Sequence, residues 1–221
     1  MNNEKLAIML FENGHIKFRE SGSEHGFKFK FHDEHLDAPG SPSYFNFRDL
    51  SDEILSCIGR LFNELVKERE IKFDRIVGLP KAGDPLAKVF AKMAGRSDDL
   101  VFLEKEESDG KRIILPHIIG KYDKGEVVLP IDDVVNKGHT KIEGIKPLKD
   151  NDLAVIDCIV LVDRQQGGVE LLHELGIEVH FLFTLEEILE IYIKNKFISE
   201  EVAQEILNYP RLVEEYINNL S

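Results

Sequence analysis

The chain has 221 residues, 43% of them hydrophobic, enough for one ordinary α/β domain with a small appendage and a real core. Its formal charge of -13, with no dense cluster of lysine and arginine, repels polyanions and sets nucleic acid aside as a partner. The opening MNNEKLAIMLFENG holds too short and too charged an apolar stretch for a signal peptide or a membrane span, and Cys57 and Cys158 fall in apolar segments without metal-type spacing, so the expectation is a cytoplasmic protein with buried thiols.

Residues 3–13 place Leu6, Met9 and Leu10 on one face before Gly14, which predicts an amphipathic helix closed by a glycine. Over residues 27–31 phenylalanine alternates with lysine, a period of two that predicts a half-buried strand with Lys28 and Lys30 on its other face. The breaker-rich HDEHLDAPGSP reads as a loop, and SPSYFNFRDL as a second extended piece. His32 and His35 with Asp33, Glu34 and Asp37 lack the two-histidine helical spacing of a zinc site, so a solvated loop is expected there.

Residues 51–69 carry Ile54, Leu55, Ile58, Leu61, Phe62, Leu65 and Val66 at helical spacing, a long core-facing helix. FDRIVGLPKAGDPLAKVFAKMAG reads as strand, tight loop and helix, the helix ending at Gly95. Its loop, with Pro80, Lys81, Ala82 and Gly83, suits either an anion held on backbone donors or an ordinary turn. A short strand at 101–103 leads into EKEESDGKR, which reads as a flexible solvated loop.

The run GEVVLPIDDVVNKGHTKIE, residues 125–143, joins an apolar strand, two adjacent aspartates, a short polar loop and a helix start. Thr140 and Glu143 have the spacing of a capping box, so the helix is expected to begin at Thr140, with the N–H groups of the loop open to an anion and Gly138 admitting close backbone approach. Asp132 and Asp133 at the strand's carboxyl end then lie within reach of the hydroxyls of a sugar whose phosphate sits in the loop. The same string also describes sheet edges that bind nothing. Residues 155–162 are nearly all apolar, as in a parallel strand covered on both faces, and lead into Asp163, Arg164, Gln165, Gln166, Gly167 and Gly168. Arg164 offers a planar fork suited to a carboxylate or to a surface salt bridge. The tail, from a capping box at Thr184 and Glu187, carries two or three amphipathic helices.

Alternating strands and helices define an α/β fold, a mostly parallel sheet wound by helices on both faces with ligands at the strands' carboxyl ends. The layout expected is a single domain: a small N-terminal hood (1–50), an α/β core (51–183) and C-terminal helices (184–221).

The run 128–140 resembles the phosphoribosyl diphosphate (PRPP) motif of type I phosphoribosyltransferases, in which apolar residues lead into two acidic residues, two apolar residues and a phosphate loop. Asn136 and Lys137 stand where that family has threonines, His139 where it has a small residue, and Pro130 lies inside the strand. GFKFK followed by SPSYFNFR, and Asp-Arg-Gln-x-Gly-Gly at 163–168, are similar to orotate phosphoribosyltransferases.

The resemblance implies transfer of the ribosyl phosphate group from PRPP to orotate in pyrimidine biosynthesis, with Mg2+ on the diphosphate. It gives Asp132 and Asp133 the ribose hydroxyls, Asn136, Lys137, Gly138, His139 and Thr140 the 5′-phosphate, and Lys81 the diphosphate. Lys30 and Arg164 fall to orotate, and Tyr44 and Phe45 flank the base. EKEESDGKR takes the place of a mobile catalytic loop, in which Lys105 matches and Lys111 and Arg112 follow the glycine as substitutes for lost bases. Because that loop closes over a neighbouring subunit's site, a homodimer is implied, with no membrane or nucleic-acid partner. Two other readings stay open: a phosphoribosyltransferase for another base, and a noncatalytic PRPP- or nucleotide-binding regulator.

Overall fold

The computed structural model describes residues 2–19, 26–29, 31–79, 82–108 and 111–220, the side chains at 105–108 and 111–113 excepted. The chain divides into two compact units, Met1–Asn3 with Leu50–Leu185, and Glu4–Asp49 with Glu186–Ser221. No helix among the described residues is long and apolar enough to cross a membrane, and both cysteines are buried free thiols.

The chain opens with α1 (Asn3–Glu12), which buries Leu6, Ala7 and Leu10. Gly14, at φ +70°, closes it, donating its N–H to the Phe11 carbonyl at 2.8 Å. Next, β1 (Ile16–Phe18) pairs antiparallel with β2 (Ser43–Phe45), and between them lies α2 (Phe31–Glu34). The phenylalanine–lysine alternation therefore does not form the expected strand: Phe27 makes an isolated bridge to Ser41, and Phe31 opens α2. The reason is local closure. A Cβ on Gly26 would lie 2.4 Å from the Gly40 carbonyl carbon, so the two backbones are pressed together. Buried His32 pins the same loop, accepting the Phe29 N–H on Nδ1 at 2.8 Å and donating from Nε2 to the Pro39 carbonyl at 3.1 Å. Both ring nitrogens are thus used structurally.

The core begins with α3 (Asp52–Glu68), capped by Ser51, whose hydroxyl accepts the Ile54 N–H. It continues through β3 (Arg75–Gly78), α4 (Gly83–Ala94), β4 (Leu100–Ser108), β5 (Lys111–Ile119), β6 (Val128–Val135), α5 (His139–Asp150), β7 (Asp157–Asp163), α6 (Gly168–Glu174) and β8 (Glu178–Thr184). The strand order is β5-β4-β3-β6-β7-β8, parallel throughout except for antiparallel β5 at the edge. Val77, Val101, Val128, Cys158 and Val160 join Ile145 and Leu148 of α5 and Leu172 of α6 in one buried cluster, while α3 packs on α4 and α4 on β3 and β6. The expected helix end at Gly95 is present, with φ at +69°.

Pro130 is tolerated inside β6 because of which way its missing donor points. The Ile131 carbonyl accepts the Leu79 N–H at 2.8 Å, so Ile131 faces β3 and Pro130, one residue earlier, faces β7. There the regular ladder starts only at Ile131↔Ile159, so no ladder bond is lost.

The charged run after residue 103 is not the expected loop. It is the outer half of a β-hairpin, with Lys105 opposite Ile114, Glu107 opposite Arg112 and Ser108 opposite Lys111. Asp109 and Gly110 lie outside the described residues.

The tail forms α7 (Leu185–Lys194) and α8 (Glu200–Asn218). Within their unit, the Tyr192 hydroxyl donates to the Ala7 carbonyl at 2.8 Å, Phe11 stacks on Phe197 with ring centroids 4.3 Å apart, and Arg19 forks onto Glu205.

Candidate active site

β6 delivers two carboxylates to the carboxyl edge of the sheet, and strand alternation sends them to opposite faces. Asp132 is 3% exposed. Its Oδ2 is ion-paired with Lys141 Nζ from α5, and its Oδ1 accepts the Asp133 N–H at 2.9 Å. Lys141 is itself 4% exposed and continues the buried stripe of Ile145 and Leu148 at helical spacing. Gly83, where α4 begins, closes the remaining side: a Cβ there would meet the Ile131 carbonyl oxygen at 2.2 Å and Asp132 Oδ1 at 3.3 Å.

Burial pushes the Asp132 carboxyl up to about 7, against the pull of Lys141 and with the help of Asp133. Burial likewise drives the neighbouring Cys158 thiol up to about 12, so it stays protonated. Removing one partner of a buried pair of this kind costs about 3–5 kcal/mol, because the other charge is left uncompensated. Asp133 is half-buried, with its Oδ1 accepting the Val134 N–H at 2.8 Å.

Beyond β6 the loop turns on Gly138, whose φ of +81° makes it the N-cap of α5. The helix therefore begins at His139, one residue earlier than the expected capping box at Thr140 and Glu143. The left-handed glycine supplies the turn, and its carbonyl already accepts the Lys141 and Ile142 N–H groups at 2.9 and 3.1 Å. Buried Gly138 is flanked by exposed Asn136, Lys137, His139 and Thr140. First-turn N–H groups have no acceptor within a helix and sit at the positive end of its dipole, an arrangement suited to cradling an anion.

The loop after β7 is locked to that cradle. The Arg164 N–H donates to the Val135 carbonyl at 2.9 Å. A Cβ on Gly168 would lie 2.3 Å from the Asn136 carbonyl oxygen and 2.8 Å from the Gly138 nitrogen, so only glycine fits. Asp163 Oδ1 accepts the Gln165 N–H at 2.8 Å, holding Gln165 at φ +54°. Asp132, Asp133, the loop 136–140 and Arg164 thus converge at the ends of two adjacent parallel strands.

The other expected site residues are either only partly described or belong to the second unit. Lys81 and Lys30 fall outside the described residues. Lys105, Lys111 and Arg112 belong to the outer part of the β4–β5 hairpin, with their side chains outside the description. Tyr44 and Phe45 sit in β2 of the other unit, Tyr44 between Phe27 and Phe29 at ring-centroid distances of 5.6 and 5.9 Å. The sequence reading missed Lys141, although a lysine on the 141, 145, 148 stripe of an otherwise apolar helix face is a legible signal.

A parallel sheet that presents an acidic pair, a glycine-turned loop at a helix start and an arginine at its carboxyl edge has groups suited to hydroxyls and anions. Residues 50–175 match the phosphoribosyl transferase domain model, and the chain belongs to that family. It is 31% identical over 173 residues to uridine 5′-monophosphate synthase of Bos taurus, covering 76% of this chain and 35% of that protein. It is 27% identical over 175 residues to orotate phosphoribosyltransferase of Saccharolobus solfataricus, covering 79% and 82% of the two. Among solved structures, Leishmania donovani UMP synthase superposes with a TM-score of 0.75 at 27% identity, covering 96% of this chain and 42% of that one. The chain thus spans about a third of the length of the bovine relative.

Proposed function

We propose that this chain transfers the ribosyl 5-phosphate group of PRPP to orotate, giving orotidine 5′-phosphate and diphosphate. The observation that carries the reading is the lock between the two loops: Asp-Arg-Gln-x-Gly-Gly is bonded through Arg164 to the end of β6 and pressed through Gly168 onto Gly138. An arginine suited to a carboxylate is thereby fixed beside an anion cradle suited to the 5′-phosphate. Relatives named orotate phosphoribosyltransferase and uridine 5′-monophosphate synthase support the choice of base.

In the reaction a ring nitrogen of orotate forms a bond to the ribose C1′ as the C1′–O bond to diphosphate breaks, and the ring N–H proton leaves to solvent. The protein's part is positioning and charge. Asp133, backed by Asp132, receives the ribose hydroxyls, and residues 136–140 take the 5′-phosphate on their first-turn amides. Arg164 holds the orotate carboxylate. Lys81, and Lys105, Lys111 and Arg112 of the hairpin, meet the diphosphate.

Among the described residues no three His, Cys, Asp or Glu side chains gather as a metal cage. The family resemblance implies Mg2+, which the substrate's own phosphates and water would hold and which would offset charge on the departing diphosphate. The cell context we propose is cytoplasmic and the assembly a homodimer.

Arg164→Ala tests the reading at its most specific contact. Loss of a charged partner for a buried carboxylate costs about 2–5 kcal/mol, so kcat/KM for orotate should fall steeply while PRPP affinity holds. Equal orotate kinetics in variant and parent would remove Arg164 from the base site.

A further inference from the structure

We propose that Lys141 is a positioning residue for the ribose-facing carboxylate: it anchors Asp132, and Asp132 in turn holds the backbone N–H of Asp133. The proposal rests on reading this edge of the sheet as a PRPP site.

Lys141 stands where a lysine is costly. It lies in the first turn of α5, at the positive end of the helix dipole, on the stripe that packs against the core. A cation in that place is opposed both by the dipole and by burial, and its compensation is Asp132. Both Asp132 oxygens are engaged: Oδ2 meets Lys141 and Oδ1 takes the Asp133 N–H. Around the carboxylate, β6 contributes Asp133 and β7 contributes Cys158, with Asp157 beyond it, while α4 presents uncharged Gly83. Among the described residues Lys141 is the cation that faces it. The chain of contacts runs from α5 through Asp132 to the peptide from which half-buried Asp133 projects. An acidic residue buried at 3% exposure with both oxygens engaged is built to hold its neighbour, and Asp133 is left to meet the substrate.

The test uses the full chain as parent, Lys141→Met, and the double variant K141M/D132N. Methionine keeps the unbranched apolar stem of the lysine, so the stripe with Ile145 and Leu148 stays packed. PRPP affinity is read by calorimetry, PRPP and orotate KM by steady-state kinetics, and the Asp133 backbone amide by its NMR resonance. K141M is expected to weaken PRPP binding at least about tenfold, to raise KM for PRPP with little change in KM for orotate, and to move the Asp133 resonance. In K141M/D132N no buried charge remains and the Asn amide oxygen still accepts the Asp133 N–H. The double variant should therefore regain most of the lost affinity and return the resonance.

A lysine that only packs would lower the melting temperature of K141M without the KM split or the rescue. Parental PRPP affinity in K141M, or a double variant no better than the single, overturns the proposal. Where K141M does not fold, D132N alone replaces it: the lone buried lysine must disturb Asp133 in the same way, with the double variant again relieving it. A parent that does not bind PRPP sinks the PRPP reading instead. The relay is then judged on the resonance, where movement in K141M with return in the double supports it and an unmoved signal overturns it.

Discussion

Asp133 and Asp132 are adjacent in sequence and opposite in environment, and their predicted behaviours differ accordingly. Asp133 is half-buried at the carboxyl edge. Asp133→Asn should leave the fold intact and cost about 1.5–3 kcal/mol of PRPP binding, the usual range for a hydrogen bond to a charged group; unchanged binding by calorimetry would count against the ribose assignment. Asp132 bears instead on stability. Its folded-state carboxyl is raised from 3.8 to about 7, so the folded chain holds a proton that the unfolded chain releases near pH 4. Its contribution to stability is complete below about pH 4 and is lost as the pH rises through about 7. Thermal unfolding of Asp132→Asn, which cannot titrate, should show a shallower decline across that window than the parent, and parallel curves would contradict the raised value. The aspartate pair was legible in the sequence because it ends an apolar run. The pair's division of labour was not, because it depends on Lys141, nine residues on and across a helix turn.

The elements that frame the site differ in how openly the sequence declares them. β6, α5, β7 and the loops between them follow from buried runs, paired acids and glycines, signals that burial on both faces of a parallel sheet enforces. The β4–β5 hairpin was hidden because its outer half carries charge on both strands. The segment at 27–31 misled in the opposite sense: a clean alternation yielded to the closure of Gly26 on Gly40 and to buried His32. As a ribbon rather than a loop, the hairpin carries Lys105, Lys111 and Arg112 on a paired backbone. Changing all three to alanine should slow turnover about a hundredfold while PRPP affinity falls much less, since groups proposed to meet the departing diphosphate would act mostly in the transition state. A triple variant that turns over like the parent would show these bases to be bystanders.

Taken whole, the chain carries its proposed chemistry at one edge of a six-stranded sheet, where β6 and β7 end side by side. The net charge of -13 is carried by a protein whose proposed substrates are all anions. Binding must then come from local donors, the first-turn amides of α5 and the bases of the loops, rather than from long-range attraction. Family membership is fixed by the match over residues 50–175, whereas the choice of base hangs on the Asp-Arg-Gln-x-Gly-Gly loop. The measurement that bears on this most directly is diphosphate release from PRPP by the full chain with Mg2+, offered orotate, hypoxanthine, guanine, xanthine or uracil in turn. Release with orotate is expected at about 1 per second or faster, with background rates for the other four. PRPP binding without release for any base, or release with one of the others in preference to orotate, would contradict that expectation.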